Sequence, residues 1–173
     1  MSAILAAVAA SVLVGTVPAH ADILDVTCVP PSSAVVEFDP PLDNTASATD
    51  VSLSVQYGPC VSLSEGDLTS GSRTNEVSGA PLSCTNVLSP NTVTFTIAWN
   101  TGDTSTVTAS RTITTTPALA LVTLTGTVTS GLFAGDAFVE ALVSSRLELV
   151  SCQLGLTTVD SLFGTVSTSI SSV

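Results

Sequence analysis

The stretch spanning residues 92–113 constrains the fold more than any other. Val93, Phe95, Ile97 and Trp99 alternate with Thr92, Thr94, Thr96 and Ala98. A period of two puts the apolar set on one face of a strand and the threonines on the other. After Asn100-Thr101-Gly102-Asp103, Val107, Ala109 and Ile113 alternate with Thr106, Thr108, Ser110 and Thr112. Gly102 supplies the positive φ that a tight hairpin needs. For Ile97 and Val107 to share a face, paired positions must sum to an even number, which requires an odd loop. A Thr101-Gly102-Asp103 loop is predicted, with Trp99 opposite Ser105, Ile97 opposite Val107 and Phe95 opposite Ala109.

Similar runs flank this hairpin. Strands are expected over residues 23–28, 34–38 (stopped by Asp39-Pro40-Pro41), 51–57, 121–130, 136–143, 147–152 and 163–171. Residues 62–79 read as a loop with a weak strand near Arg73 to Val77. Gly126 falls on the apolar face, a sign of a bulge or of close backbone approach, here assigned to the space under Trp99. No stretch keeps a 3.6-residue period with caps. The expected fold is all-β: an antiparallel β-sandwich, immunoglobulin-like or jelly-roll-like, with two disulfides, occupying residues 22–173 as one domain.

Residues 1–21 read as a secretory signal peptide. The apolar run from Ile4 to Val17 precedes the small-x-small site Ala19-His20-Ala21, which predicts cleavage before Asp22. At about 14 residues the run is too short to span a bilayer. It has no preceding Lys or Arg, which implies an upstream start or an atypical signal.

The net charge is -11, only Arg73, Arg111 and Arg146 are basic, and lysine is absent. Binding phosphates takes clustered Lys and Arg, so nucleic acid and anionic membrane are excluded as expected partners. A mean hydropathy of +0.58 argues against disorder. Cys28, Cys60, Cys84 and Cys152 show no C-x-x-C pairing, and in an exported chain they read as two disulfides. Four cysteines allow three connectivities. The expected one is Cys60 to Cys84, stapling the loosest segment, and Cys28 to Cys152, tying the first strand to a late one.

The only histidine, His20, lies in the signal segment. The mature chain therefore lacks the residues for a Ser-His-Asp triad, a Schiff base or a histidine-ligated metal. No metal or other cofactor is expected. Carboxylate chemistry stays open, with Glu37, Asp39, Glu65, Asp67, Glu140 and Glu148 as candidate acids, although solvated charge is their ordinary use. Glu65-Gly66-Asp67, and Asp39 with Asp43, are softer calcium candidates that match no twelve-residue helix-loop-helix pattern. Trp99 reads as core. Leu132 and Phe133, between glycines, form a candidate contact loop or an end plug. Arg111 is expected beyond the core rim, with pairing to Glu140 as the other reading.

Tyr57-Gly58-Pro59-Cys60, Leu82-Ser83-Cys84, Ile97-Ala98-Trp99-Asn100-Thr101-Gly102 and the run from Gly126 to Gly135 together carry a resemblance. The chain resembles small secreted β-sandwich proteins of actinobacteria, which implies export and a β fold but no activity. Cys152-Gln153-Leu154-Gly155-Leu156 is similar to a stretch of the neocarzinostatin-type carriers, whose cysteine spacings differ. That likeness implies a small apolar ligand. The expected function is extracellular binding or structure without catalysis, the partner being an extracellular protein or a small apolar ligand. A small-molecule carrier comes second and a carboxylate-dependent glycoside hydrolase third.

Overall fold

A computed structural model describes residues 24–172; the expected signal peptide and its cleavage site lie outside the described residues. The hairpin forms from β6 (Asn91–Trp99) and β7 (Thr104–Thr115). Phe95, Ile97, Trp99, Val107 and Ala109 are buried together. On the other face Thr94 and Thr96 share hydrogen bonds with Thr108 and Thr106. The faces are as expected, but the register is displaced by two. Phe95 faces Val107 and Ile97 faces Ser105, because the odd loop is Asn100-Thr101-Gly102. Gly102 donates its N–H to the Trp99 carbonyl and takes a φ of 94°, so a turn and a bulge close the hairpin one residue earlier.

The remaining strands are β1 (Leu24–Cys28), β2 (Ser33–Leu42), β3 (Ser47–Tyr57), β4 (Cys60–Ser62), β5 (Gly71–Leu82), β8 (Leu119–Gly131), β9 (Ala137–Ser145) and β10 (Val159–Ser171). Eight of the ten strands form one antiparallel sheet in the order β2-β3-β5-β6-β7-β8-β9-β10, and β2 then pairs with β10. The sheet thus closes into a barrel, which overturns the expected sandwich. Alternation dictates which side chains face inward, but both a second sheet and a curled sheet can bury them. Here β10 decides: residues 159–165 pair with β2, while residues 168–171 pair with β1, which carries β4 on its outer edge.

Two local expectations also fail. Asp39-Pro40-Pro41 does not stop β2, which continues to the buried Leu42. Leu42 pairs with Val159 and Glu37 with Ser161, so residues 38–41 bulge opposite Asp160, where prolines lacking an N–H break no ladder bond. Residues 147–152, expected as a strand, belong to helix α1 (Leu147–Gln153). Leu149 and Cys152, three apart, are its buried residues.

One end of the barrel, here the lower, is sealed by α1 and the connection after β5. Leu42, Cys84, Leu149, Cys152 and Val159 pack there. The upper end carries Tyr57, Trp99, Leu132 and Phe133. The disulfides join Cys28 to Cys60 and Cys84 to Cys152, so all four cysteines pair but not as expected. Cys60 sits just after β3 at the upper end. The 12-residue β5 then carries the chain roughly 35–40 Å to the lower end before Cys84, too far for a bond between them.

Gly126 does mark a close approach, but to β7 and not to Trp99. A Cβ there would lie 2.0 Å from the Thr108 carbonyl oxygen and 2.5 Å from Ala109 Cα. The glycine under Trp99 is Gly71, where a Cβ would lie 2.6 Å from the indole. Gly126→Ala is expected to cost about 3 kcal/mol, because two strand backbones must separate. Gly66→Ala, with nothing within 4 Å, is expected to stay within about 0.5 kcal/mol. Urea midpoints of the two variants give the comparison.

Candidate functional site

The ladder between β5 and β6 holds only Gly71 with Trp99 and Ser72 with Ala98. Arg73, the next residue on β5, points inward and is buried. Its Nη2 donates to Glu140 Oε1 on β9 at 2.6 Å, and the Tyr57 hydroxyl of β3 donates to Oε2 at 2.7 Å. The guanidinium carbon lies 3.7 Å from the centre of the Phe95 ring on β6, a cation–π contact in a dry setting. Glu140 is 2 % exposed. An ionised carboxylate there is tolerable only because a cation and a phenol face it. Burial raises the Tyr57 pKa well above 10, and the neighbouring charge of Glu140 adds to this while Arg73 opposes it. The phenol therefore remains a proton donor at any ordinary pH.

Glu140 is thus separated from the other candidate acids. Glu37 and Asp39 lie exposed on the outer face of β2. Glu37 stands level with Ser52 of β3, and Ser52 with Glu76 of β5, while Asp39 faces Asp50. These four carboxylates line a cleft of about 270 Å³ on the barrel wall. Asp50 Oδ1 is held by the Gly79 N–H at 2.8 Å. Glu65 and Asp67 sit in the loop between β4 and β5, anchored by the buried Leu68, and Glu148 is exposed in the first turn of α1. Among the described residues, no three His, Cys, Asp or Glu side chains converge to hold a metal.

The upper loop folds over the barrel end. Trp99 is buried, and its Nε1 donates to Ser105 Oγ at 2.8 Å; Ser105 in turn donates to the Leu132 carbonyl at 2.6 Å. Phe133, with a φ of 64°, sets its ring edge-on to the indole at 6.3 Å. Leu132 and Phe133 are half-buried and pack on the core. Arg111 is half-buried beside Asn91 and donates through Nε to the Ser89 carbonyl at 3.0 Å, so Glu140 takes Arg73 as its partner instead.

Asp50, Arg73 and Glu76 escaped the sequence reading. Arg73 had one signal: it shares the parity of Val77 in the weak strand, which points it inward. The meeting of Glu37 with Glu76 depends on the order of β2, β3 and β5, which no local pattern encodes.

Removing one member of the interior pair leaves a buried charge uncompensated. Arg73→Met and Glu140→Leu are each expected to cost about 3–5 kcal/mol, while the double variant costs far less than their sum. Chemical denaturation of the four forms completes the cycle. Tyr57 is the only tyrosine, so phenolate absorbance reports on it alone. Its folded pKa is raised above the unfolded value near 10, so its contribution is complete below about pH 10 and falls as pH rises toward the folded value. Phenolate should appear only as circular dichroism reports unfolding. Ionisation near pH 10 in an intact barrel would contradict the buried hydrogen bond.

Comparison with known protein families, with curated proteins and with solved structures finds no match to this chain.

Proposed function

We propose that the protein is an exported, non-catalytic barrel that works by binding a partner on its outer wall or as an extracellular structural component. The observation that carries this reading is the filled interior. Eight strands enclose a space that side chains just fill, and here Phe95, Ile97, Val107, Val128 and Phe138 occupy it around the Arg73–Glu140 pair. The acid inside the barrel is used to hold the wall together, and recognition is left to the outside. Export is supported by two disulfides. Among the described residues no helix is long and apolar enough to cross a membrane. The near-absence of cations argues for a protein or other uncharged or cationic partner and against nucleic acid.

A second reading, hydrolysis by paired carboxylates, is favoured by one feature: Glu37 and Glu76 flank the cleft on either side of Ser52. Native mass spectrometry of protein purified from its own medium is expected to show a co-purifying macromolecule. A bound small apolar molecule would shift the reading to a carrier. Polysaccharide turnover that is lost in both Glu37→Gln and Glu76→Gln would end the non-catalytic proposal.

A further inference from the structure

We infer that the seam between β5 and β6 is a strand-acceptor site for an extended, basic peptide segment of a partner protein; this rests on the binding reading above. Below Ser72 and Ala98 the two strands separate. Residues 73–82 of β5 pair only with β3, and residues 91–97 of β6 only with β7. Exposure on the inward register follows the parting. Along β5 it rises from Arg73 at 5 % through half-buried Asn75 to Val77 at 55 %. Along β6 it rises from Ile97 at 0 % to half-buried Val93. Within an otherwise closed wall, this leaves strand edges with main-chain groups directed at no neighbouring strand.

The chain's own connection meets only the lower end of the gap, where Asn86 Nδ2 donates to the Pro81 carbonyl at 3.0 Å. After Leu82 it turns beneath the barrel, where the Cys84 N–H donates to the Asp43 carbonyl and Cys84 bonds to Cys152. One polar group at the edge is also unsatisfied: Asn75 Oδ1 is buried without a hydrogen-bond partner. A guest N–H would supply the missing donor.

The chemistry of the guest follows from the two sides of the edge. A strand added to β5 directs alternate side chains outward and inward. Its outward residues lie beside Glu76, and Asp50 on β3 and Glu37 and Asp39 on β2 add to the negative potential of the adjoining cleft, which selects Lys or Arg. Its inward residues meet Val77 and Val93, which selects small apolar side chains. A second copy of this chain is disfavoured, because pairing β5 with itself would set the same acidic cluster against its own image.

The test uses three synthetic eight-residue peptides with the full mature chain: alternating Lys and Val, alternating Glu and Val, and the Lys–Val peptide N-methylated at every second residue. The Lys–Val peptide is expected to slow amide exchange over residues 73–82 and to bind about tenfold more weakly to Glu76→Lys than to the parent. Neither control peptide should protect that segment. Asp103→Lys, at the far hairpin turn, should leave binding unchanged. The proposal is overturned if residues 73–82 show no protection, or if the N-methylated peptide binds equally well, since attraction would then be ionic alone. A natural partner co-purified from the medium that the Lys–Val peptide fails to displace would remove this site while sparing the binding reading. Polysaccharide turnover lost in both Glu37→Gln and Glu76→Gln would end the binding reading and this site with it.

Discussion

The pairing of β2 with β10 determines what every other part of the chain must do. Closing eight strands leaves an interior about one layer of side chains wide on each side, with no second sheet to absorb errors of volume. Each inward position therefore meets residues from across the barrel. Glycines stand where strands must come closest: Gly126 against the backbone of β7, and Gly71 beneath the indole of Trp99. Closure also spreads the work of β10, which serves β2 along one half and β1 along the other while pairing with β9 over most of its length. A one-residue slip in that strand would turn its inward set outward and open the wall.

The interior pair lies beside the weakest part of that wall. Arg73 is the first β5 residue beyond the last pair with β6, and its side chain makes the connections the ladder lacks. It stacks on Phe95 of β6 and bonds to Glu140 of β9, which in turn accepts from Tyr57 of β3. One guanidinium thus ties β5 to β6 beside it and to β9 across the barrel, and β3 joins the network through Glu140. A buried ion pair is seldom a large net source of stability, because desolvation offsets most of the attraction. Its effect here is positional: it holds β5 in place at the level where main-chain pairing stops, so that the seam can widen below without the wall unravelling above.

Much of this was legible in the sequence, and the limit is set by the range of each interaction. Alternation is local, so the inward set of β6 and β7 could be read from residues 92–113 alone, as could the odd loop. The exact pairing could not: Thr101-Gly102-Asp103 and Asn100-Thr101-Gly102 keep the same parity, and the choice depends on where Gly102 takes its positive φ. Sandwich and barrel share the same inward faces, and only the long-range contact of β10 with β2 separates them. The segment of α1 reads as a strand because Leu147 and Leu149 flank Glu148 in a run too short to separate a period of two from one of 3.6, although Val150 and Cys152 break the alternation. The acidic cleft was half visible, in Glu37 and Asp39; its other half arrives through strand order.

The same distinction explains the disulfides. Every pair of neighbours in the barrel wall except β5 with β6 is held by a long ladder, so covalent bonds add least there. The staples sit at the two ends, on segments outside the eight-strand wall. Cys28 to Cys60 fixes the short β4 to β1 above, and Cys84 to Cys152 fixes α1 to the connection after β5 below. With separations of 32 and 68 residues, loop closure in the unfolded chain is restricted by about 4 kcal/mol for each bond. That is of the order of a domain's whole net stability. The lower staple has a further consequence for the seam. By holding the connection after Leu82 beneath the barrel against α1, it leaves that connection touching β5 only near its end, through Asn86 and the Pro81 carbonyl, so the edge between Ser72 and Pro81 stays open.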